Sequence, residues 1–264
     1  MTFLSTDPYG TSAAPAGRFL HHLNPLAKVA AVVPAWVALL FTRDILTPLI
    51  FIVIAVLLIL VGARLRPSIV VGLLLVLPAV VLVMALSFGL WTDASRVADQ
   101  RILFSVGEFH YTVGAFAVGL ATSLRLGALV SLALVGGLTT TGPDLARSLV
   151  AQLRIPYRIG YTAIAAYRFL PRFGSELALI RQAQRVRGVA GGWGPVAAVR
   201  RAFAAVVPLL ASSIRHAERM ALAMESRAFG AHPTRTERAP SRWRARDTVF
   251  VAVGVAVTVA VFVI

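Results

Sequence analysis

Five runs of apolar residues set the limits on this chain: Leu26–Phe41, Ile45–Val61, Ile69–Leu90, Thr112–Leu138 and Thr248–Ile264, the last separated from the rest by a long basic stretch. A helix needs roughly 20 residues to cross a bilayer, and the shorter runs gain the missing turn from boundary residues or local thinning. At 58% hydrophobic content and a mean hydropathy of +0.80, the 264 residues are too apolar for a soluble domain of this size. The fold class expected is an all-α polytopic membrane protein of about five transmembrane helices. Four fill residues 25–138, amphipathic helices fill 139–247, and the final span is 248–264. Residues 1–24, rich in small and turn-forming residues and without a basic residue before Arg18, read as a flexible cytoplasmic lead-in rather than a secretory signal.

Arginines set the orientation, because basic residues flanking spans stay inside. Arg64 and Arg66 lie between spans two and three, with no acid beside them. The loop Trp91–Tyr111 carries Arg96 and Arg101 against Asp93, Asp99 and Glu108, a net of −1. Thr139–Asp247 carries 18 arginines against six acids, a net of +12. One topology satisfies all three: a multi-pass protein of the cell membrane with the N-terminus and the basic segment cytoplasmic, and the 91–111 loop and C-terminus outside.

The basic segment alternates helix signals with breaks. Thr141-Gly142-Pro143-Asp144 supplies a cap, a first-turn proline and an acid, followed by Leu145, Leu149 and Leu153 at helical spacing up to Ile155-Pro156. Tyr157–Leu170 is apolar and aromatic and suits the membrane interface or a partial span, with Arg158 and Arg168 snorkelling. Pro171 is expected to open a new helix, Gly191-Gly192 to turn the chain, Pro195 to start a long helix and Pro208 to kink it. Along that helix Phe203, Val207, Leu210, Ile214, Ala217, Ala221, Met224 and Ala228 draw an apolar seam, with a basic remainder. A basic connector through Pro233 and Pro240 leads to the last span.

Catalytic and cofactor signatures are missing. The one lysine, Lys28, lies in no phosphate-binding loop, and no zinc-protease, nucleophile-elbow or aspartate-rich pattern occurs. Absent cysteine excludes disulfides, thiolate metal sites and a cysteine nucleophile, and the five histidines show no metal-ligand spacing. No enzymatic role, bound cofactor, metal or nucleic-acid partner is expected.

Three arginines stand out. Arg125 lies at mid-span, where it either hydrogen-bonds carbonyls between helices or serves transport or a membrane partner. Arg187, in Val186-Arg187-Gly188, and Arg227, in Ser226-Arg227-Ala228, each close an amphipathic helix, where unpaired carbonyls favour a cation. Capping accounts for one such arginine but does not call for two in one insertion. A guanidinium beside a small residue can enter a partner's groove and meet a carboxylate bidentately.

At these residues the chain resembles the transmembrane T component of energy-coupling factor transporters, importers of the ABC superfamily with paired Ala-Arg-Gly-like motifs ending two long cytoplasmic coupling helices. Val186-Arg187-Gly188 matches in its last two positions and Ser226-Arg227-Ala228 at the arginine, with Ala223-Met224-Glu225 and Phe229-Gly230 fitting around it. His22-Leu23-Asn24-Pro25, Lys28, Thr141, Pro143, Arg168-Phe169-Leu170-Pro171, Glu176 and Gln184 extend the resemblance over about residues 20–264. It implies a non-catalytic scaffold whose helix ends, residues 186–188 and 226–228, enter two cytoplasmic ABC ATPase subunits. ATP and magnesium would sit on those partners and none on this chain. A small substrate-binding membrane protein, the S component, would pack with the coupling helices along Phe203, Val207, Leu210, Ile214, Ala217, Ala221 and Met224. The implied cargo is a vitamin, a vitamin precursor, or cobalt or nickel.

The competing class is a stand-alone transporter or membrane enzyme whose basic segment rests on anionic lipid. It needs intramembrane acids or catalytic polar clusters, which the spans lack. An ordinary ABC permease, with one short coupling loop, does not need so long an insertion.

Overall fold

The computed structural model describes residues 19–63, 65, 67–92, 101–106, 109–188, 194–232 and 241–263. Arg64, Arg66, residues 93–100 and 107–108 of the charged 91–111 loop, Gly191-Gly192, Pro233 and Pro240 lie outside the described residues, and so do the orientation and turn readings that rest on them. Two compact units form, one of Met1–Ser148 with Ser241–Ile264 and one of Leu149–Pro240.

The first unit holds α1 (Pro25–Phe41), α2 (Leu46–Gly62), α3 (Pro67–Trp91), α4 (Val113–Gly137), most of α5 (Gly142–Gln152) and α8 (Ala245–Val263). Asn24 caps α1 by accepting from the Leu26 N–H at 3.0 Å, and Pro25 needs no donor in the first turn. Within α3 the turn Gly72–Val76 widens to π geometry just ahead of Pro78, whose ring an ordinary turn would press against the Leu74 carbonyl. Between α3 and α4 a short ribbon pairs β1 (Ile102–Val106) with β2 (Phe109–Thr112) in antiparallel register. Strands stand where the sequence predicts only loop, and two short ones leave the all-α class unchanged.

Buried small residues at every third or fourth position let the helices approach closely. Ala27, Ala31, Ala35 and Leu39 line α1, Phe51, Ala55 and Ile59 line α2, and Val81, Ala85 and Gly89 line α3. Half of the most apolar window of α4 is buried, against 17% in α3 and in α8, which makes α4 the centre of the unit. Its Gly119 lies against the Ala85 carbonyl and the Gly89 amide of α3. The outward faces of α1, α3 and α8 expose valine, leucine and phenylalanine in quantity, the inverse of a water-soluble surface.

One end of this unit is polar and internally satisfied. Lys28, 1% exposed, donates to the Thr139 carbonyl at 2.9 Å, the Thr139 hydroxyl at 3.0 Å and the Thr140 hydroxyl at 3.1 Å. Asp247, also 1% exposed, accepts from the backbone N–H groups of Asn24 and Arg244, both at 2.8 Å. The Asn24 amide donates to Ser241 Oγ at 3.2 Å, and Arg246 donates to the His22 carbonyl. These bonds join the start of α1 to the end of α4 and the start of α8. Burial, then the neighbouring Lys28 and His22, pushes the His21 imidazole below its ordinary range.

The second unit is dominated by α6 (Tyr157–Val186) and α7 (Pro195–Glu225), of 30 and 31 residues. Pro171 does not open a new helix as expected: α6 runs through it unbroken, as α7 runs through Pro208. An interior proline removes only the bond from its own nitrogen, here to the Tyr167 carbonyl, and contacts with α7 along the length of α6 hold the turns on either side.

Helices α3, α4, α7 and α8 are long and apolar enough to cross a membrane. At 17 residues, α1 and α2 fall short of that length. The longest uncharged stretch of α7 is residues 202–214, between Arg201 and Arg215, too short to cross by itself. Multiple membrane passes are nonetheless established by α3, α4 and α8.

Candidate functional site: two arginine-ended helices

Contacts between α6 and α7 run in opposite senses along the two helices. Gln184 donates to the Ala204 carbonyl at 2.8 Å, Ser212 Oγ donates to Glu176 at 2.5 Å, and the Phe169 ring stacks on His216 at 4.4 Å. At the far end Tyr157 meets Phe229 edge to face at 5.7 Å. The helices are therefore an antiparallel pair, and their C-terminal ends point opposite ways. Arg187 lies level with about Arg201 of α7, which puts it roughly 40 Å from Arg227 at 1.5 Å per residue.

Both ends use the same turn. The Arg187 N–H donates to the Ala183 carbonyl and the Gly188 N–H to the Arg185 carbonyl, each at 3.1 Å, and Gly188 has φ +72°. At the other end the Ala228 N–H donates to the Glu225 carbonyl at 2.8 Å and the Phe229 N–H to the Met224 carbonyl at 3.0 Å, while Ala228 has φ +54°. These are Schellman-type endings, with an arginine immediately before the left-handed residue each time. A Cβ on Gly188 would meet nothing within 4 Å, so backbone angle and not space favours glycine there. Ala228 bears a left-handed cost of roughly 1–2 kcal/mol, partly offset by the chain entropy a glycine would lose. Ala228→Gly is expected to stabilise this end by about 0.5–1 kcal/mol, read as slower amide exchange at Phe229 and Gly230. Faster exchange in the variant would contradict it.

Val186, Arg187, Gly188, Ser226, Arg227 and Ala228 are all exposed, so the structure brings each triplet to a free helix tip and keeps the two triplets apart. The tips are braced differently. Beyond Arg227, the Gly230 carbonyl accepts from Arg158 and the His232 carbonyl from the Tyr157 hydroxyl at 2.7 Å. A cavity of about 680 Å³ opens there, with Arg168 and Arg227 among its walls. At the Arg187 tip Gln184, Gly188, Arg200, Arg201 and Ala204 surround a smaller hollow of about 370 Å³.

Exposed cations thus stand at both ends of one long antiparallel helix pair. Residues 16–237 match the CbiQ family, described as cobalt transport protein. An energy-coupling factor transporter transmembrane protein of Limosilactobacillus fermentum is 30% identical over 96% of this chain and 95% of that relative. The chain belongs to the CbiQ family, the T components of energy-coupling factor transporters. The corresponding protein of Exiguobacterium sibiricum is 32% identical over 57% of this chain and spans 60% of that relative's length. A putative ABC transporter ATP-binding protein of Bifidobacterium longum is 28% identical over 96% of this chain, which there covers 33% of the relative.

In this T component most of the apolar seam of α7 is exposed and is not the face packed against α6. Phe203, Val207, Leu210 and Ile214 are 72%, 73%, 57% and 59% exposed, and Ala217 and Ala221 are exposed as well. The face that meets α6 is the adjacent one, through Ala204, Ser212, His216 and Met220. At the end of the seam Met224 and Ala228 line the larger cavity. Serine and histidine on the packed face conceal it from an apolar pattern, because each is matched to a polar or aromatic group on α6. Tyr157 and Arg158 brace the Arg227 tip from 70 residues or more away in sequence, so no local signal points to them. Arg125 belongs to the membrane unit, where it donates to the Thr42 carbonyl at the end of α1.

Proposed function

We propose that this T component is the coupling subunit of an ATP-driven importer, carrying motion from two cytoplasmic ABC ATPase subunits to a separate substrate-binding membrane protein. The observation behind this reading is the placement of Arg187 and Arg227 at opposite ends of one antiparallel pair, each exposed just before a left-handed residue that closes its helix. One rigid pair ending in two cations suits two partners standing side by side, and a rotation of either tip is felt along the whole pair. That a sequence relative forms one third of a putative ABC transporter ATP-binding protein supports an ATPase as the partner.

The exposed seam from Phe203 to Ala221 is the seat for the substrate-binding subunit, whose membrane surface is itself apolar. ATP and magnesium stay on the ATPases, and this chain carries no catalytic step or cofactor of its own. The basic insertion and the N-terminus face the cytoplasm and the C-terminus faces outside, by the arginine distribution and by the need to meet cytoplasmic ATPases. The cargo is a vitamin, a vitamin precursor, or cobalt or nickel, and its identity lies in the substrate-binding subunit.

The test is a mild-detergent pull-down of the tagged chain from its host, wild type beside the Arg187→Glu, Arg227→Glu double variant, with mass spectrometry of the retained proteins. Two ABC ATPases and a small membrane protein are expected with wild type. The double variant is expected to lose the ATPases and keep the membrane protein, since neither Arg187 nor Arg227 belongs to the seam. A chain that purifies alone in both forms overturns the proposal.

A further inference from the structure

The membrane unit contains a polar step that none of the coupling residues accounts for. Lys28 of α1 bonds to Thr139 at one end of α4, and Arg125 of α4 bonds to Thr42 at the other end of α1. From Lys28 to Thr42 is fourteen residues, as is Thr139 back to Arg125, so the helices run antiparallel in register for about 21 Å. The α2 side agrees, since a Cβ on Gly127 would stand 3.4 Å from Ile52. The turn between α1 and α2, carrying Thr42, Arg43 and Asp44, is thus level with Arg125 in the middle of α4.

Helices α3 and α4 do not stop there. From Arg125 to Val113 α4 continues for about 18 Å. Gly119 beside Ala85 and Tyr111 beside Gly89 keep α3 alongside it to the end. This protruding pair exposes Val83, Leu86, Leu90, Trp91 and Val118, with Trp91 at 89%. An apolar surface of that kind belongs in hydrocarbon. With the Lys28 end at one boundary of a core about 30 Å thick, a turn about 21 Å away falls roughly 9 Å short of the other boundary.

We propose that this step is a binding site for the phosphodiester headgroup of a membrane phospholipid, drawn below its leaflet surface on the β1–β2 side and held by Arg43 and Arg125. Arg43 is exposed at the turn. The Arg125 Nε is buried without a hydrogen-bond partner among the described residues, which marks this guanidinium as incompletely satisfied by the protein. Asp44 accepts from the Thr47 N–H at 2.8 Å at the start of α2 and is also within reach of the Arg125 charge, so the cluster of Arg43, Asp44 and Arg125 keeps one net positive charge. A phosphate bridging two guanidinium groups neutralises the net positive charge that the cluster would otherwise hold at hydrocarbon depth. The lipid bound there fills the space above the short α1–α2 hairpin, beside the taller α3–α4 wall.

The chain has no cysteine, so Leu46→Cys and Val118→Cys can each be spin-labelled singly in vesicles of dioleoylphosphatidylcholine with dioleoylphosphatidylglycerol. The label at 118 is expected to collide with oxygen, as in hydrocarbon, and the label at 46 with a water-soluble nickel chelate. A label at 118 in water means that α3 and α4 protrude from the bilayer, and overturns the proposal. Native mass spectrometry of wild type released from nanodiscs of the same lipids is expected to retain phospholipid. Arg43→Gln, an exposed change that leaves the fold intact, is expected to lower that retention about tenfold, and Arg43→Gln with Arg125→Gln to lower it further. Equal retention in wild type and variants overturns the site. Displacement by excess inorganic phosphate assigns it to a free anion and overturns the lipid assignment.

Discussion

Gly119→Ala is expected to destabilise the membrane unit by about 3–4 kcal/mol and to lower its melting temperature in detergent by about 10 °C. The added Cβ would lie 2.3 Å from the Ala85 carbonyl oxygen, 2.6 Å from the Gly89 nitrogen and 3.1 Å from the Gly89 Cα. All three are backbone atoms of α3, so no side-chain rotation relieves the clash and the helices must separate. Separation costs contact along the whole α3–α4 interface, because in lipid close packing of small residues, not exclusion of water, holds helices together. Gly136→Ala is the matched control in the same helix. Its Cβ would meet nothing within 4 Å, so the higher helix propensity of alanine is expected to leave stability unchanged or raised by up to about 1 kcal/mol. Equal melting temperatures for the two variants would show that α3 and α4 are not in such close contact.

The second large effect is expected at Asp247→Ala, about 3–5 kcal/mol of lost stability. Its carboxylate accepts two backbone N–H groups from different parts of the chain, Asn24 at the entry to α1 and Arg244 just ahead of α8, while 1% exposed. Removing it strands the Asn24 donor at a buried position and takes an anion from the positive end of α8. Asp247→Asn does not rescue the site, because only one of the two amide groups accepts and the other faces an N–H. Both variants are expected to speed exchange of the Asn24 amide and lower the melting temperature. Unchanged Asn24 exchange in Asp247→Ala would show that the bond does not hold the end of α1.

Much of the fold was legible in the sequence. Pro25, Pro67 and Pro195 each stand at the start of a helix, and Gly188 stands just past the end of α6. Each is a residue whose own backbone preference marks a boundary, so it can be read without knowledge of what lies nearby. Pro171 misled the reading for the complementary reason: its local tendency to interrupt a helix is outweighed by packing from α7. The motif residues His22 to Lys28, noted only for their resemblance to a family, acquire a physical account in the bonds around Asn24, Lys28, Thr139 and Asp247.

At the candidate site, the sequence by itself determined two arginines at helix ends, each beside a small residue, and an apolar seam along α7. Both follow from local rules, the chemistry of exposed carbonyls at a helix end and the 3.6-residue repeat. Only the tertiary structure decided that the helices run antiparallel and carry Arg187 and Arg227 to opposite ends, that the seam stays exposed, and that the turn after α1 stops level with Arg125. Each depends on which face meets which neighbour and in what register. A periodic pattern specifies a face but not its partner, and here the packed face of α7 was chosen by Ser212 reaching Glu176 and His216 lying on Phe169, contacts between residues more than thirty positions apart.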